Sequence, residues 1–162
     1  MGTLVAGGPV MVRAFVNHEH GELASGMDGI HELARALQSL SSGEAAVRVG
    51  EILRWVEATL KPHLAWEEHW LFPQLDALAG SPWATRAIRY DHRQIARKAE
   101  LLGRDRIDLG HSPSSRAATE LRSDLDALET LLRANVEREE QLLLPILDAE
   151  AGDEWWTAEW RD

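Results

Sequence analysis

Four stretches of the chain repeat apolar residues at alternating steps of three and four, the period of an amphipathic helix that faces a bundle core. These stretches cover residues 16–37, 49–78, 88–102 and 121–146. No stretch shows the period of two that is typical of a half-buried strand. The pattern therefore predicts an all-α chain built from four long helices.

Turn-forming residues predict where the later helices begin and end. Ser81 with Pro82, and Ser112 with Pro113, each combine a helix N-cap with a proline in the first turn. These pairs are expected to open the third and fourth helices. Gly103 is expected to end the third helix, because glycine is favoured just past a helix C-terminus.

The connections between the helices predict how they pack. Residues 41–43, 79–81 and 103–111 are short and rich in turn formers, so sequential helices should lie antiparallel. The predicted fold is an up-down-up-down four-helix bundle. Pro62 and Pro145 lie inside helical patterns and each removes a backbone donor. We expect a kink at Pro62, and a kink or fraying near Pro145.

A length of 162 residues fits one domain and leaves little room for a second core. We expect the bundle over residues 1–150 and a short tail over residues 151–162. The tail carries Trp155, Trp156 and Trp160, which are expected to lie on the bundle. A homodimer contact through this tail is the alternative.

Charge, cysteine content and hydropathy exclude several classes of function. Seventeen Lys and Arg against 27 Asp and Glu give a net charge of -10, which disfavours nucleic acid and anionic lipid as partners. The chain has no cysteine, so any metal must be held by His, Asp or Glu. Neither a secretory signal nor an apolar membrane span is recognisable, and a cytoplasmic location is expected.

Polar residues interrupt the apolar stripes where a core is expected: His20, His63, Glu67, His92, Asn135 and Glu139. Burying such groups is unfavourable unless they are hydrogen-bonded, paired or bound to a metal. Residues four positions apart lie on one helix face, about 6 Å apart along the axis, and both can bind one metal centre. His63 and Glu67 have this spacing, and Asn135 and Glu139 repeat it.

The arrangement occurs twice, at a fixed offset of 72 residues. Glu19-His20 corresponds to Asp91-His92, and residues 63–75 correspond to 135–147 with five identities in thirteen positions. Two related helical hairpins would direct all four polar stripes at one bundle interior. Such a near-symmetric site suits two metals.

With these motifs the chain resembles the hemerythrin-like HHE cation-binding domains over about residues 10–149. The resemblance rests, in chain order, on Glu19-His20-x2-Leu23, His63-x3-Glu67-Glu68-x2-Leu71-Phe72-Pro73, Asp91-His92-x2-Ile95 and Glu139-Glu140-x2-Leu143-Leu144-Pro145. The family fold is a four-helix bundle around a non-heme di-iron centre bridged by two carboxylates. The resemblance implies that the iron ligands are His20, His63, His92, Glu67 and Glu139, with the two glutamates as bridges.

Asn135 stands where the family pattern places a histidine. An amide oxygen is a weak ligand for iron compared with imidazole, so one metal position is expected to be weakly held, or open to water and substrate. Reversible oxygen carriage is disfavoured for the same reason. The remaining histidines, His18, His31, His69 and His111, are expected at the surface or behind the ligands.

Further residues near the stripes have two interpretations. Glu68 and Glu140 are expected on solvated helix faces, although a kink at Pro62 would turn Glu68 inward. Trp70 is expected in the core, and the alternative is that it narrows a pocket over the metals. Tyr90, the only tyrosine, could donate a hydrogen bond near the site.

The resemblance and the Asn135 departure together favour a non-heme iron protein that binds and reacts with O2 or peroxide. We expect an oxidoreductase that acts as an oxidase, an oxygenase or a peroxide-handling enzyme, with a small-molecule substrate left open. An iron or oxygen sensor, carrier or storage module is the alternative, and a structural bundle without metal is a third. Two irons per chain are expected, with one iron, zinc or manganese as alternatives.

Overall fold

The computed structural model describes residues 9–111, 114–143 and 145–146, and these residues form four helices and no strand. Helix α1 is Pro9–Ala36, followed by the 3-10 turn Leu37–Ser39. Helix α2 is a continuous rod of Ser42–Trp55, Lys61–Trp66 and Phe72–Leu78, joined by the π-helical turns Val56–Leu60 and Glu67–Leu71. Helix α3 is Arg86–His111, and α4 is Ser115–Arg138, continued by the π-helical turn Glu139–Leu143.

The helices pack as a bundle in which each has two neighbours. Helix α1 lies against α2 and α4, and α3 lies against the same two helices. The predicted all-α bundle is confirmed at this level. None of the helices in the described part of the chain is long and apolar enough to cross a membrane. The tryptophan tail lies outside the described residues.

Two apolar clusters fill the interior, and a polar layer separates them. Each helix contributes one buried residue next to the polar layer to the larger cluster, namely Leu23, Leu60, Ile95 and Leu132. On the other side of the layer, each helix contributes one residue to the smaller cluster, namely Val16, Leu71, Ile88 and Leu143. The polar layer falls between these residues along every helix and consists of His20, His63, Glu67, His92, Asn135 and Glu139, all buried.

The start of α3 differs from the prediction. Ser81 does not cap the helix, because residues 81–85 form turns and α3 begins at Arg86. The carboxylate of Asp76, at the end of α2, accepts a hydrogen bond from the Thr85 backbone N–H at 3.0 Å. This long-range acceptor satisfies a donor at the start of α3, so the local serine is not needed there.

The end of α3 also differs, because the helix continues through Gly103 to His111. Beyond Gly103, Leu109 is buried and Arg106 donates from Nε to the Ala46 carbonyl at 3.0 Å. Tertiary contacts of this kind outweigh the roughly 1 kcal/mol by which glycine disfavours a helix. The predicted loop at 103–111 is therefore wrong.

The N-cap of α4 is displaced by two residues from the predicted position. The Ser114 side chain accepts from the Ala117 backbone N–H at 3.1 Å, and the helix begins at Ser115. The predicted opening pair, Ser112 and Pro113, lies outside the described residues.

Each proline inside a helical rod follows a π-helical turn. The turns Val56–Leu60, Glu67–Leu71 and Glu139–Leu143 end two residues before Pro62, Pro73 and Pro145 respectively. Proline donates no hydrogen bond and its ring collides with the carbonyl four residues earlier. Widening the preceding turn to i→i+5 bonding relieves both conflicts. The kink expected at Pro62, and the kink or fraying expected near Pro145, stay predictions, and Pro73 is a third proline with a preceding π-helical turn.

Candidate metal centre

The two π-helical turns that precede Pro73 and Pro145 place the central carboxylates. Glu67 and Glu139 are the first residues of these turns, and both side chains are buried. The two turns are 72 residues apart, which is the offset of the sequence repeat. Such turns inside α-helices are common at functional sites, because the extra residue redirects neighbouring side chains.

Four of the expected ligands meet in one group. His20, His63, Glu67 and Glu139 each present a nitrogen or oxygen atom within 4.8 Å of the others. The Nε2 atom of His20 lies 3.1 Å from Oε2 of Glu139, and Nε2 of His63 lies 3.3 Å from Oε2 of Glu67. Each carboxylate thus faces a histidine, from α1 for Glu139 and from its own helix for Glu67.

His92 joins the same two carboxylates from α3. Its Nε2 atom lies 3.3 Å from Oε2 of Glu67 and 3.5 Å from Oε1 of Glu139. The two glutamates therefore lie between a pair of histidines, His20 and His63, and the single His92. The structure brings all five expected ligand residues together.

The hydrogen bonding of this group fits a bound cation. Both ring nitrogens of His63 and both carboxylate oxygens of Glu67 are buried and make no hydrogen bond of good geometry, although Nε2 of His63 faces Glu67 and Nδ1 lies 3.7 Å from Oε2 of Glu19. Buried polar atoms without hydrogen bonds are costly, unless another group satisfies them. Imidazole nitrogens and carboxylate oxygens are ligands for iron, zinc and manganese. The residues present therefore fit a divalent metal.

Electrostatics keep His63 ready to bind a metal. Burial lowers the pKa of the His63 imidazole to about 4, and repulsion from His20 and His92 acts in the same direction against the attraction of Glu139. The ring is therefore neutral near pH 7. A neutral imidazole has the free lone pair that metal coordination requires.

The carboxylates have the opposite effect on the pKa values of His20 and His92. Burial lowers their pKa values, but hydrogen bonds to carboxylates outweigh it, so the pKa of His20 is raised and that of His92 is raised to about 9. Burial and the charge of Glu139 raise the pKa of Glu67. Burial also disfavours ionisation of Glu139, but the hydrogen bonds from His20 and His92 lower its pKa.

A second carboxylate stands behind each of two histidines. Oε1 of Glu140 lies 3.2 Å from Nδ1 of His20, and Oε1 of Glu68 lies 3.2 Å from Nδ1 of His92. Each Glu-Glu pair therefore contacts both nitrogens of one histidine on a neighbouring helix. A carboxylate behind a ligating imidazole fixes the ring orientation and raises its basicity. The Glu140 side chain is half exposed, but its carboxylate does not simply point to solvent as expected.

Arg89 holds the carboxylate of Glu68, one of these two glutamates. Its Nη1 atom donates to Oε2 of Glu68 at 2.5 Å, and its Nε atom donates to the Thr85 hydroxyl at 2.9 Å. Asp76 accepts from the same hydroxyl at 3.1 Å. Glu68 is thus fixed between an arginine and His92. The repeated Glu-Glu in the sequence was the available signal for this role.

Asn135 occupies the place equivalent to His63 in the second half. Its Nδ2 atom donates to Oε1 of Glu139 at 2.5 Å, while its Oδ1 atom is buried without a hydrogen bond. The amide therefore orients a central carboxylate and leaves one oxygen free. The ligand set is uneven, with two histidines on one side and one histidine plus an amide on the other.

Trp70 and Tyr90 are the two remaining pocket candidates. Trp70 is partly buried, stacks on Trp66 with ring centroids 5.2 Å apart and packs against the smaller apolar cluster. Tyr90 is 55% exposed and has the guanidinium of Arg93 over its ring. Among the described residues, no hydrogen bond from Tyr90 to the polar layer is found, because residue 90 lies on a different face of α3 from His92.

The histidines expected at the surface are there, as far as the structure describes them. His18 and His31 lie near Glu22 and Glu129, and His69 is exposed with Nδ1 2.7 Å from the Ala65 carbonyl oxygen. None of these three contacts the central carboxylates. The side chain of His111 lies outside the described part of the chain.

Comparison with known proteins identifies one family. A family model described as hemerythrin HHE cation binding domain matches residues 11–147. No curated protein and no solved structure matches the chain. The match covers all four helices and every residue of the polar layer.

Proposed function

The chain belongs to the hemerythrin HHE cation-binding family, and from this premise we propose that it is a non-heme di-iron protein that reacts with O2 or peroxide. The observation that carries the proposal is the buried group of four ligand atoms within 4.8 Å of one another. The Nε2 atom of His63 and the carboxylate oxygens of Glu67 support it, because they are buried without a hydrogen bond and a metal would satisfy them.

Each half of the polar layer would hold one iron. His20 and His63 would bind the first iron, and His92 with the Asn135 amide oxygen would bind the second. Glu67 and Glu139 would bridge the two. The uneven set makes the second position the weaker one, since an amide oxygen binds iron less well than imidazole.

A bound iron pair supplies the electrons and the open coordination position that reduction of O2 or peroxide requires. The chain contributes the surroundings. The two apolar clusters on either side of the layer exclude water from it. Glu140 accepts a hydrogen bond from Nδ1 of His20, and Glu68 lies 3.2 Å from Nδ1 of His92, so that Nε2 of each histidine faces the centre. Asn135 would leave the coordination of the second iron less complete than a histidine would. This favours oxidase, oxygenase or peroxide-handling chemistry over oxygen carriage.

Metal content per chain tests the binding step. Protein purified without added metal or chelator should contain close to two irons per chain by elemental analysis. His63→Ala should remove most of this iron. His69→Ala is the matched control, because His69 lies on the same helix but is exposed and apart from the site. Iron content that is unchanged in His63→Ala, or one metal or less in the native chain, contradicts the di-iron proposal.

Consumption of O2 and peroxide tests the chemistry. The iron-loaded, reduced protein should consume O2 or peroxide repeatedly when a reductant is supplied, and the metal-free protein should not. Reversible binding without net consumption would favour a carrier. An iron-loaded protein that neither binds nor consumes either oxidant would contradict this part of the proposal.

The weak second position also favours a second candidate, a non-catalytic iron or oxygen sensor, carrier or storage module. In that case one iron should exchange readily with a chelator and no turnover should accompany binding. Tryptophan fluorescence should then change with metal content, since the chain holds seven tryptophans.

The finer architecture and the location belong to the same proposal. An up-down-up-down order is supported by the order in which each helix meets the two apolar clusters. Helices α1 and α3 reach the smaller cluster first, and α2 and α4 reach the larger cluster first. A cytoplasmic location and docking of the tryptophan tail, on the bundle or on a second copy, stay predictions.

A further inference from the structure

A surface hollow of about 720 Å³ lies beside the metal centre, at the start of α3. It is lined by Trp83, Arg86, Tyr90, Asp91, Arg93 and Arg138. Asp91 and Arg138 immediately precede His92 and Glu139 in the chain, and they form an ion pair with each other. The floor of the hollow therefore adjoins the half of the site that contains Asn135.

The hollow carries positive charge that no described acidic side chain neutralises. Arg86 and Arg93 are exposed and form no ion pair within the part of the chain that the structure describes. Among the described side chains, Arg138 forms an ion pair with Asp91 alone. The chain as a whole has a net charge of -10. Two unpaired guanidinium groups in one hollow of an acidic protein mark a place suited to an anion.

Aromatic surface accompanies this charge. Trp83 is 66% exposed and Tyr90 is 55% exposed, and both line the hollow. The guanidinium of Arg86 lies 5.1 Å from the Trp83 ring centroid, and that of Arg93 lies 5.7 Å from the Tyr90 ring centroid. A guanidinium stacked on a ring keeps its N–H edge free for a carboxylate or phosphate.

We infer that the hollow binds a small organic anion with a planar aromatic ring. Its carboxylate or phosphate pairs with Arg86 and Arg93, because a planar guanidinium binds either group through two parallel hydrogen bonds. Its ring packs against the exposed faces of Trp83 and Tyr90. This site goes beyond the proposed function and uses none of the proposed metal ligands.

Calorimetric titration of the full-length protein tests the inference. The probes are 2-naphthoate and 2-naphthyl phosphate, with cyclohexanecarboxylate as the non-aromatic anion and 2-naphthylmethanol as the neutral ring. The aromatic anions should saturate with a Kd of about 1 mM or below, as expected for ligands of this size. The two control compounds should bind at least about tenfold more weakly. The stronger of the two aromatic anions identifies the acidic group preferred.

Variants locate the binding. Arg86→Gln and Arg93→Gln should each weaken it about tenfold, the effect of losing one charge-assisted contact, and Trp83→Leu should weaken only the aromatic anions. Arg116→Gln is the matched control, since Arg116 is exposed at the start of α4 and outside the hollow. Equal binding by the arginine variants, equal binding of the neutral ring, or no saturable binding overturns the inference.

One further titration distinguishes binding of the probe in the hollow from binding at the metal site. His63→Ala, which is expected to lose iron, should bind 2-naphthoate as the native chain does. Loss of iron with retained anion binding supports two separate sites. Loss of anion binding together with iron would show that the probe binds at the metal, and would overturn the inference while leaving the proposed function intact.

Discussion

Oε1 of Glu68 lies 3.2 Å from Nδ1 of His92, while the other oxygen of Glu68 accepts a hydrogen bond from Arg89. We therefore expect Glu68 to act on the proposed metal through His92, whose ring it contacts. Glu68→Ala should weaken iron binding about 10- to 100-fold, as measured by competition with a chelator. The reason is that the imidazole would lose both its fixed orientation and the negative charge behind it.

Two controls separate this positioning role from a general loss of structure. Glu57→Ala removes an exposed glutamate from the same helix and should leave iron affinity unchanged. Glu68→Gln keeps an oxygen near Nδ1 and should recover part of the affinity. If Glu68→Ala binds iron as tightly as the native chain, Glu68 does not position His92.

Asn135 offers a second test, because it is the one member of the polar layer that departs from the repeat. Asn135→His should increase the iron retained after chelator treatment, since imidazole replaces a weak amide ligand. Elemental analysis after timed exposure to the chelator measures this. Asn135→Ala should lower retention, because it also removes the hydrogen bond to Glu139. Retention that falls in both variants would show that the native amide is the better fit.

Much of the candidate site could be predicted because its polar residues occur at helical spacing and recur at a fixed offset. His20, His63 and His92 interrupt apolar stripes, and burial of such groups demands a partner. The offset of 72 residues then relates the halves, and the π-helical turns that carry Glu67 and Glu139 repeat at the same offset.

The outer contacts could not be predicted from an ideal helix. A residue adjacent to an inward-facing one points well away from it in a regular α-helix, so Glu68 and Glu140 were expected at the surface. The π-helical turns add a residue to the turn and change these directions. Likewise, the start of α3 depends on Asp76, a residue from another helix, which no local pattern reveals.

Gly103 gives a direct test of where α3 ends. Because the glycine lies inside the helix with open space where a Cβ would be, Gly103→Ala should stabilise the fold by about 0.5–1 kcal/mol. Gly80→Ala is the contrasting variant, because Gly80 has a φ of 62° and alanine would be strained there. Urea unfolding measures both. A destabilised Gly103→Ala would indicate that the helix ends at Gly103 after all.

Glu67 should reduce the stability of the metal-free protein. Burial and the neighbouring Glu139 raise the pKa of its carboxyl, so ionising it costs folding free energy as the pH rises above its ordinary range. Glu67→Gln should therefore stabilise the metal-free chain more at pH 8 than at pH 5. The same variant should bind little iron. A metal-free Glu67→Gln protein that is less stable than the native chain at pH 8 would contradict this interpretation.

Asp105 provides a pH test outside the metal centre. Burial and the nearby Asp124 raise the pKa of the Asp105 carboxyl from 3.8 to about 6. The folded chain therefore holds this proton up to a higher pH than the unfolded chain does. The associated stability is full below pH 3.8 and is lost as the pH rises through 6.

Asp105→Asn removes this loss, because an amide does not ionise and can donate to Asp124. Its urea midpoint should match the native value at about pH 4 and exceed it at about pH 7. Lys98 donates to Asp124 at 2.6 Å and already satisfies part of the charge there, so the gain should be smaller than for a fully buried carboxyl. Asp126→Asn, an exposed position on α4, keeps Asp105 and should retain the pH dependence of the native chain. An Asp105→Asn midpoint that differs from the native one equally at both pH values would show that Asp105 ionises normally.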